Sequence, residues 1–358
     1  MFYDKELAAI ERAGRLRKRR IFDPSLKDFA SNDYLGLAHR KELLERAYER
    51  VASYPANAAK ASQLINGYTP IHQAFEEELC RLNGFAAAIT VGSGFLANIA
   101  LIEALVRRGD RLLLDEEFHA SGILASRLVP GSVEFFAHND AEDLAKKLRC
   151  SKGRTIVAVE GIYSMSGDLL DPSIFEVIDE ETILIVDEAH SSGVVGPNLL
   201  GVFDLYGISI GPNHIKMGTM GKALGSYGAY ILASREIVSF LENRAKSIIY
   251  TTALSLMDVA LAHEGLRYIE AHKEQLREEI EKRLAMMHER GFANETLILD
   301  IPMRNVLAAQ ERLLKEGYLV GAIRPPTVKE PMLRIIARLG ESAQDFATLL
   351  EKVRDVYL

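Results

Sequence analysis

Cysteine is scarce in this chain. Two residues in 358, Cys80 and Cys150, stand far apart, outside any CxxC pair or histidine cluster. That excludes a disulfide framework and a zinc site and reads as reduced thiols in a cytoplasmic protein. Long apolar runs are missing too. None approaches the roughly 18 residues that a membrane helix needs, and the opening MFYDKELAAIERAGRLRKRR lacks the unbroken apolar core of a signal peptide. There is no excess of positive charge: 43 Lys and Arg stand against 50 Asp and Glu, a net charge of -7, which argues against general nucleic-acid affinity. Internal repeats and low-complexity linkers are absent as well.

Apolar residues make up 48% of the chain, enough for a large core. Short apolar runs alternate with helical patterns. AAITV (87–91), RLLLD (111–115), TIVAVE (155–160), TILIVD (182–187), HIKMGT (214–219) and GAYILA (228–233) read as strands, several apolar throughout, as strands buried on both faces of a parallel sheet are. Helical patterns cover 94–108, 139–149 and 172–180. The alternation predicts an α/β domain with helices on both faces of a mainly parallel sheet. From about residue 234 the chain turns to long charged helices, such as 272–291, with short apolar runs at 296–301, 318–323 and 332–337. The expected organisation is an N-terminal helical arm (1–30), a large α/β domain (31–253) and a smaller α+β C-terminal domain (254–358).

Polar residues gather after the strands. Asp187 ends TILIVD, and His190 follows three residues later. Ligands of open α/β sheets bind beyond the carboxyl ends of the strands, although such an acid can equally cap the next helix. Gly92, Ser93 and Gly94 join a strand to a helix whose free N–H groups would suit a phosphate, or simply make a tight turn. His119 follows RLLLD, and Glu160, Ser164 and Asp168 follow TIVAVE; each alone reads as an ordinary loop residue. Lys222 lies in HIKMGTMGKALGSYGAY among Gly218, Gly221, Gly225 and Gly228. One chemistry uses all of these parts. Pyridoxal 5′-phosphate needs a lysine as covalent anchor, a carboxylate on its ring nitrogen, a stacking ring and a helix N-terminus for its phosphate.

The motifs resemble those of the α-oxoamine synthases, fold type I pyridoxal-phosphate enzymes. They are FASNDYLGLA (29–38), INGYTPIHQAFEEEL (65–79), GSGFLAN (92–98), DEEFHASG (115–122), FFAHND (135–140), EGIYSMSGD (160–168), VDEAHSSGVVG (186–196), TMGKALGSYG (219–228) and IRPPTV (323–328). IRPPTV and FFAHND place the resemblance nearest the biotin-pathway branch. It implies a fold type I transferase in which Lys222 anchors the cofactor, Asp187 pairs with its ring nitrogen, His119 stacks on the ring, and His190 and Ser164 sit at the 3′-oxygen. Ser93, Gly94, Phe95 and Thr219 would surround the phosphate, with Thr252 lent by the neighbouring subunit of a homodimer. Arg334 would hold an amino-acid carboxylate and Arg17 would lie near the acyl substrate. The implied reaction is a decarboxylative condensation of L-alanine with a pimeloyl thioester carried by coenzyme A or acyl carrier protein. Glycine acyltransfer and transamination are the other readings this fold allows. Neither metal, nucleic acid nor membrane is expected. The basic arm, with Arg15, Arg17, Lys18, Arg19 and Arg20, could attract an anionic substrate or be a solvated helix end. Three departures from the family pattern stand out: Gln63 where arginine is usual, Ser166 where aspartate is common, and a TTALSL stretch without the usual prolines.

Overall fold

The structure, a computed structural model, describes residues 2–149 and 153–357, with side chains to Arg354; Cys150 lies outside the described residues, and Cys80 is a free, half-buried thiol. The strands are β1 (Lys27–Asp28), β2 (Ala87–Val91), β3 (Arg111–Asp115), β4 (Ser132–Phe136), β5 (Thr155–Glu160), β6 (Ile183–Asp187), β7 (His214–Thr219), β8 (Ala229–Ala233), β9 (Ile298–Pro302), β10 (Tyr318–Leu319), β11 (Gly321–Ile323) and β12 (Met332–Ile336). Seven of them form one sheet in the order β2-β8-β7-β6-β5-β3-β4. Six of the seven run in one direction, and only β8 runs against them.

The apolar runs become the centre of this sheet because both its faces are covered. Leu113, Val157, Val159, Leu184, Val186 and Leu232 pack on one side with the helices Lys41–Ala52, Pro70–Asn83 and Leu256–His288. Their strand neighbours Leu112, Leu114, Ile156, Ala158, Ile185 and Ile231 pack on the other with Gly94–Leu105 and Arg235–Arg244. This is the period-two alternation of a strand realised as two cores. β4, which the sequence does not announce, is an edge strand with Ser132, Glu134 and Phe135 exposed, so it lacks the apolar run that marks its neighbours. The helix expected over 172–180 is one turn, Ser173–Glu176.

The C-terminal part holds a three-stranded antiparallel sheet, β11-β12-β9. The run 318–323 splits at Val320: β10 pairs with β1 in parallel, and β11 pairs with β12. The segment after the N-terminal arm is thus bound to the C-terminal part. Arg338, 1% exposed, clamps it through Asp28 Oδ2 (2.9 Å), Asp33 Oδ2 (2.6 Å) and the Asp33 carbonyl. Gly36 adopts φ +72°, and a Cβ there would sit 2.6 Å from Gly340 Cα, so only glycine allows this backbone approach. The first helix, Asp4–Arg12, buries none of its residues. No helix among the described residues is long and apolar enough to cross a membrane.

Candidate active site

Parallel pairing puts the carboxyl ends of β3, β5, β6 and β7 at one edge, delivering Asp115, Glu160, Asp187 and Thr219 together; Glu160 and Asp187 are direct register partners. Lys222 follows β7 on a loop closed by Gly225, whose φ is +63° and whose Cβ would meet the backbone of Leu37 and Ala38 at 2.7 Å. Its half-buried amine lies 2.7 Å from His190 Nε2. Burial, opposed mainly by Asp187, pushes that amine down to about 8. His190 is buried, and its Nδ1 lies 2.5 Å from the Tyr34 hydroxyl. Burial, reinforced by the cations of Lys222 and Arg334, holds the imidazole neutral. Burial also pushes the Tyr34 phenol up to about 12, so both groups stay uncharged.

Asp187 is 4% exposed and accepts from Asn98 Nδ2 (2.8 Å) and the Ala189 N–H (3.0 Å). Asn98 also donates to Ser121 Oγ (2.9 Å), which lies 2.7 Å from His119 Nδ1. A chain of short bonds therefore sets the strand-end acid and the histidine relative to each other. His119 is held below its ordinary range by burial, with the Lys222 cation acting the same way and Asp187 opposing. Glu160 accepts the Ser164 N–H through Oε2 (3.1 Å), while its buried Oε1 has no partner among the described residues. Burial and the adjacent Asp187 push this carboxyl well above the usual range, against the pull of Lys222.

Ser93 caps the helix Gly94–Leu105, its Oγ accepting from Leu96 N (3.3 Å). Gly94 faces β7, with its would-be Cβ 4.0 Å from Thr219 Cβ. Phe95 is 43% exposed. Arg334, on β12 and buried, donates from Nε to the Ser164 carbonyl (2.9 Å) and from Nη1 to Asn32 Oδ1 (3.0 Å); its buried Nη2 has no partner among the described residues. Beside Ser164 opens a cavity of about 920 Å³ lined by Phe118, Ile123, Leu124, Met165, Thr327 and Val328. Arg17 reaches its rim, donating to Thr327 Oγ1 (3.2 Å).

Lys222, Asp187, His190, His119, Ser164 and Arg334 thus converge, with Ser93, Gly94 and Thr219 at the neighbouring helix start. Thr252 stands apart. It is exposed, in an isolated bridge with Ser62. Of the departures, Gln63 donates to the Thr90 carbonyl (2.6 Å), Ser166 Oγ is buried without a partner among the described residues, and Ser255 of TTALSL caps the helix Leu256–His288. Asn32, Tyr34, Asn98 and Ser121 lie inside recognisable motifs but carry no role that the sequence reveals. One signal was available: Asn98 is a polar residue in the apolar run GFLANIALI, and a buried polar group in such a helix calls for a partner.

The residues fit pyridoxal phosphate on three structural counts. A buried acid lies beside the lysine, the N-terminus of the helix Gly94–Leu105 opens next to β7, and a buried guanidinium nitrogen is left over for an anion.

Residues 25–353 match the family described as aminotransferase class I and II. An 8-amino-7-oxononanoate synthase of Helicobacter pylori (strain J99) is 44% identical over 99% of this chain and 97% of its own length. The crystal structure of 8-amino-7-oxononanoate synthase from Francisella tularensis is 26% identical, with a TM-score of 0.77 over 93% of this chain and 97% of that one. A Sphingomonas wittichii serine palmitoyltransferase, 23% identical, shares the fold at a TM-score of 0.86 over 99% of this chain and 96% of that one. With a family match across most of its length and relatives aligned end to end, the chain belongs to the class I and II aminotransferase family, on the branch that holds the 8-amino-7-oxononanoate synthases.

Proposed function

We propose that this chain condenses L-alanine with a pimeloyl thioester, releasing carbon dioxide, to make 8-amino-7-oxononanoate for biotin biosynthesis. The observation that carries the reading is Lys222 and Asp187 meeting at one sheet edge in a chain aligned end to end with relatives of that name. Pyridoxal phosphate, when bound, supplies an aldehyde for covalent attachment to an amine and a protonated ring that draws electron density from the amino acid's α-carbon.

The chain's own residues do the rest. Lys222 would hold the cofactor covalently, and its amine would also serve as the base for the α-proton. With its amine pushed down to about 8, a fair share is unprotonated near neutral pH. Neutral His190, 2.7 Å away and braced by Tyr34, holds that amine in place without competing for charge. Asp187, fixed by Asn98, would hold the ring nitrogen. His119 would offer the ring a flat uncharged face, and Ser164 and His190 would hold its 3′-oxygen. The N–H groups beginning the helix at Ser93, Gly94 and Phe95, with Thr219, would hold the phosphate.

Arg334 Nη2, already desolvated and unpartnered, gains a carboxylate at little further cost. The cavity beside Ser164 takes the acyl chain, with Arg17 at its rim for the distant carboxyl group. Coenzyme A and acyl carrier protein are both suitable carriers, and the arm's five positive charges favour either. The active form is a homodimer in which exposed Thr252 reaches the partner's phosphate site.

The test is carbon dioxide release from alanine with pimeloyl-, succinyl- and acetyl-CoA in parallel, repeated with glycine. Each methylene fitted into an apolar channel contributes about 0.8 kcal/mol, so pimeloyl should be strongly preferred to acetyl. Equal or better use of glycine with acetyl-CoA would replace the reading with glycine acyltransfer. Borohydride reduction and peptide mapping of the holoenzyme should mark Lys222 and no other lysine.

A further inference from the structure

His138 lies outside the site just described, yet two chain segments close on it. Its Nδ1 is 3.0 Å from Asp115 Oδ1 at the end of β3, and its Nε2 is 3.2 Å from Asp168 Oδ2 in the turn after β5. Glu117 stands 3.9 Å from the same Nε2, and the Tyr163 ring meets the imidazole edge to face at 4.4 Å. Both ring nitrogens face carboxylate oxygens, which only accept, so both must carry a hydrogen and the ring is an imidazolium. Burial alone would oppose that charge, but Asp115 and Asp168 push the group up to about 10. Asp115 is fully buried and also accepts from Tyr163 OH (2.7 Å), Asn139 N (2.8 Å) and Glu117 N (2.8 Å), so it is a fixed point.

What His138 holds is the turn Tyr163–Asp168. Tyr163 is bonded to Asp115, Asp168 to His138, and the Gly167 N–H returns to the Tyr163 carbonyl (2.9 Å). Within that turn Ser164 faces the site. Its carbonyl accepts from Arg334 Nε at 2.9 Å, and its N–H donates to Glu160. The direction in which Arg334 presents its unpartnered Nη2 is therefore set by a loop that His138 pins from outside.

We propose that His138 is a positioning residue for the amino-acid substrate: by clamping Asp115 to Asp168 it fixes the Ser164 carbonyl that aims the Arg334 guanidinium. The inference rests on the reading of Arg334 as the carboxylate anchor. A loosened turn misdirects that anchor while leaving the lysine, Asp187 and the phosphate end of the site untouched, and a displacement of about 1 Å in a substrate clamp can cost a hundredfold. The cost therefore falls chiefly on alanine, with a smaller effect on the acyl thioester because Tyr163, Ser164, Met165 and Ser166 of the same turn line the acyl cavity.

The experiment uses holoenzyme of wild type, H138Q, D168N, E117Q and R334K. It measures the alanine dissociation constant from the cofactor's absorbance change, both KM values, bound cofactor and melting temperature. H138Q should weaken alanine about tenfold or more, with a clearly smaller rise in the acyl KM and cofactor content within twofold. D168N, altering a side chain that is 53% exposed, should show a smaller shift of the same kind, and E117Q none. H138Q should add nothing further in an R334K background, because it acts through Arg334. Native alanine affinity in H138Q and D168N overturns the proposal, as does a parallel rise in both KM values. If H138Q fails to fold, D168N decides alone. Should R334K itself leave alanine binding unchanged, the anchor reading falls; should R334K weaken alanine while both clamp variants stay native, only the His138 inference falls.

Discussion

Asn98→Ala puts a number on the support given to Asp187. Asp187 is almost wholly removed from water and has two donors: Asn98 Nδ2 at 2.8 Å and the Ala189 N–H at 3.0 Å. Alanine removes the first. A hydrogen bond to a charged group is worth about 1.5–3 kcal/mol, and each 1.4 kcal/mol is about tenfold. Cofactor affinity should therefore fall roughly ten- to hundredfold, because the acid is no longer aimed at the ring nitrogen. Ser121 loses the same donor, so His119 is also less well placed. Asn98→Asp, nearly isosteric, sets a second carboxylate against Asp187 and should lose more. The assay is titration of cofactor-free protein with pyridoxal phosphate, followed by absorbance, with a melting curve to separate the small cavity left by alanine. Cofactor affinities within twofold of wild type for both variants would refute the reasoning.

Asp187→Asn should still form the covalent adduct with alanine but lose α-proton exchange, measured as deuterium uptake, by about a hundredfold or more; near-native exchange counts against its role. Glu76 is buried, accepting from Tyr68 OH and Thr90 N, and burial outweighs those bonds to raise its carboxyl from the ordinary 4.5 to about 7. A raised carboxyl contributes stability that is complete below pH 4.5 and lost as pH climbs through 7. Glu76→Gln should therefore match wild type near pH 4.5 and exceed it by about 3 kcal/mol at pH 8, read from denaturant curves; a pH-independent difference rejects this. Sedimentation should show a dimer at assay concentration, and a fully active monomer would remove Thr252 from the phosphate site.

The sheet was legible because its strands are buried on both faces, and that burial writes apolar runs such as TILIVD into the sequence. β4 was not, since its edge position leaves SVEFF largely exposed. The site was legible where neighbours in sequence are neighbours in space, as with Asp187 and His190 or Thr219 and Lys222. It was hidden where contacts span the chain. Arg334 meets Asn32 across 302 residues, and Tyr34 meets His190 across 156. No local pattern encodes such pairs; the first exists only once β12 docks against the segment that follows β1, and the second only once that segment reaches the turn after β6. The consequence of Gln63 was equally invisible, because its partner is the Thr90 backbone.

The clamp that Arg338 places on residues 28–33 orders events during synthesis. Every group proposed here for the cofactor within one subunit, from Ser93 to Lys222, has left the ribosome long before the C-terminal partners of residues 27–34 exist, since these lie between Gly317 and Asp345. Domains fold from the amino end as they emerge, so the sheet can close and present its lysine while residues 27–34 still wait for a sheet not yet made. A product ending before β12 would keep Lys222 and Asp187 and lack Arg334 altogether. On the proposed reading of Arg334, alanine binding would report chain completion, and cofactor binding would not.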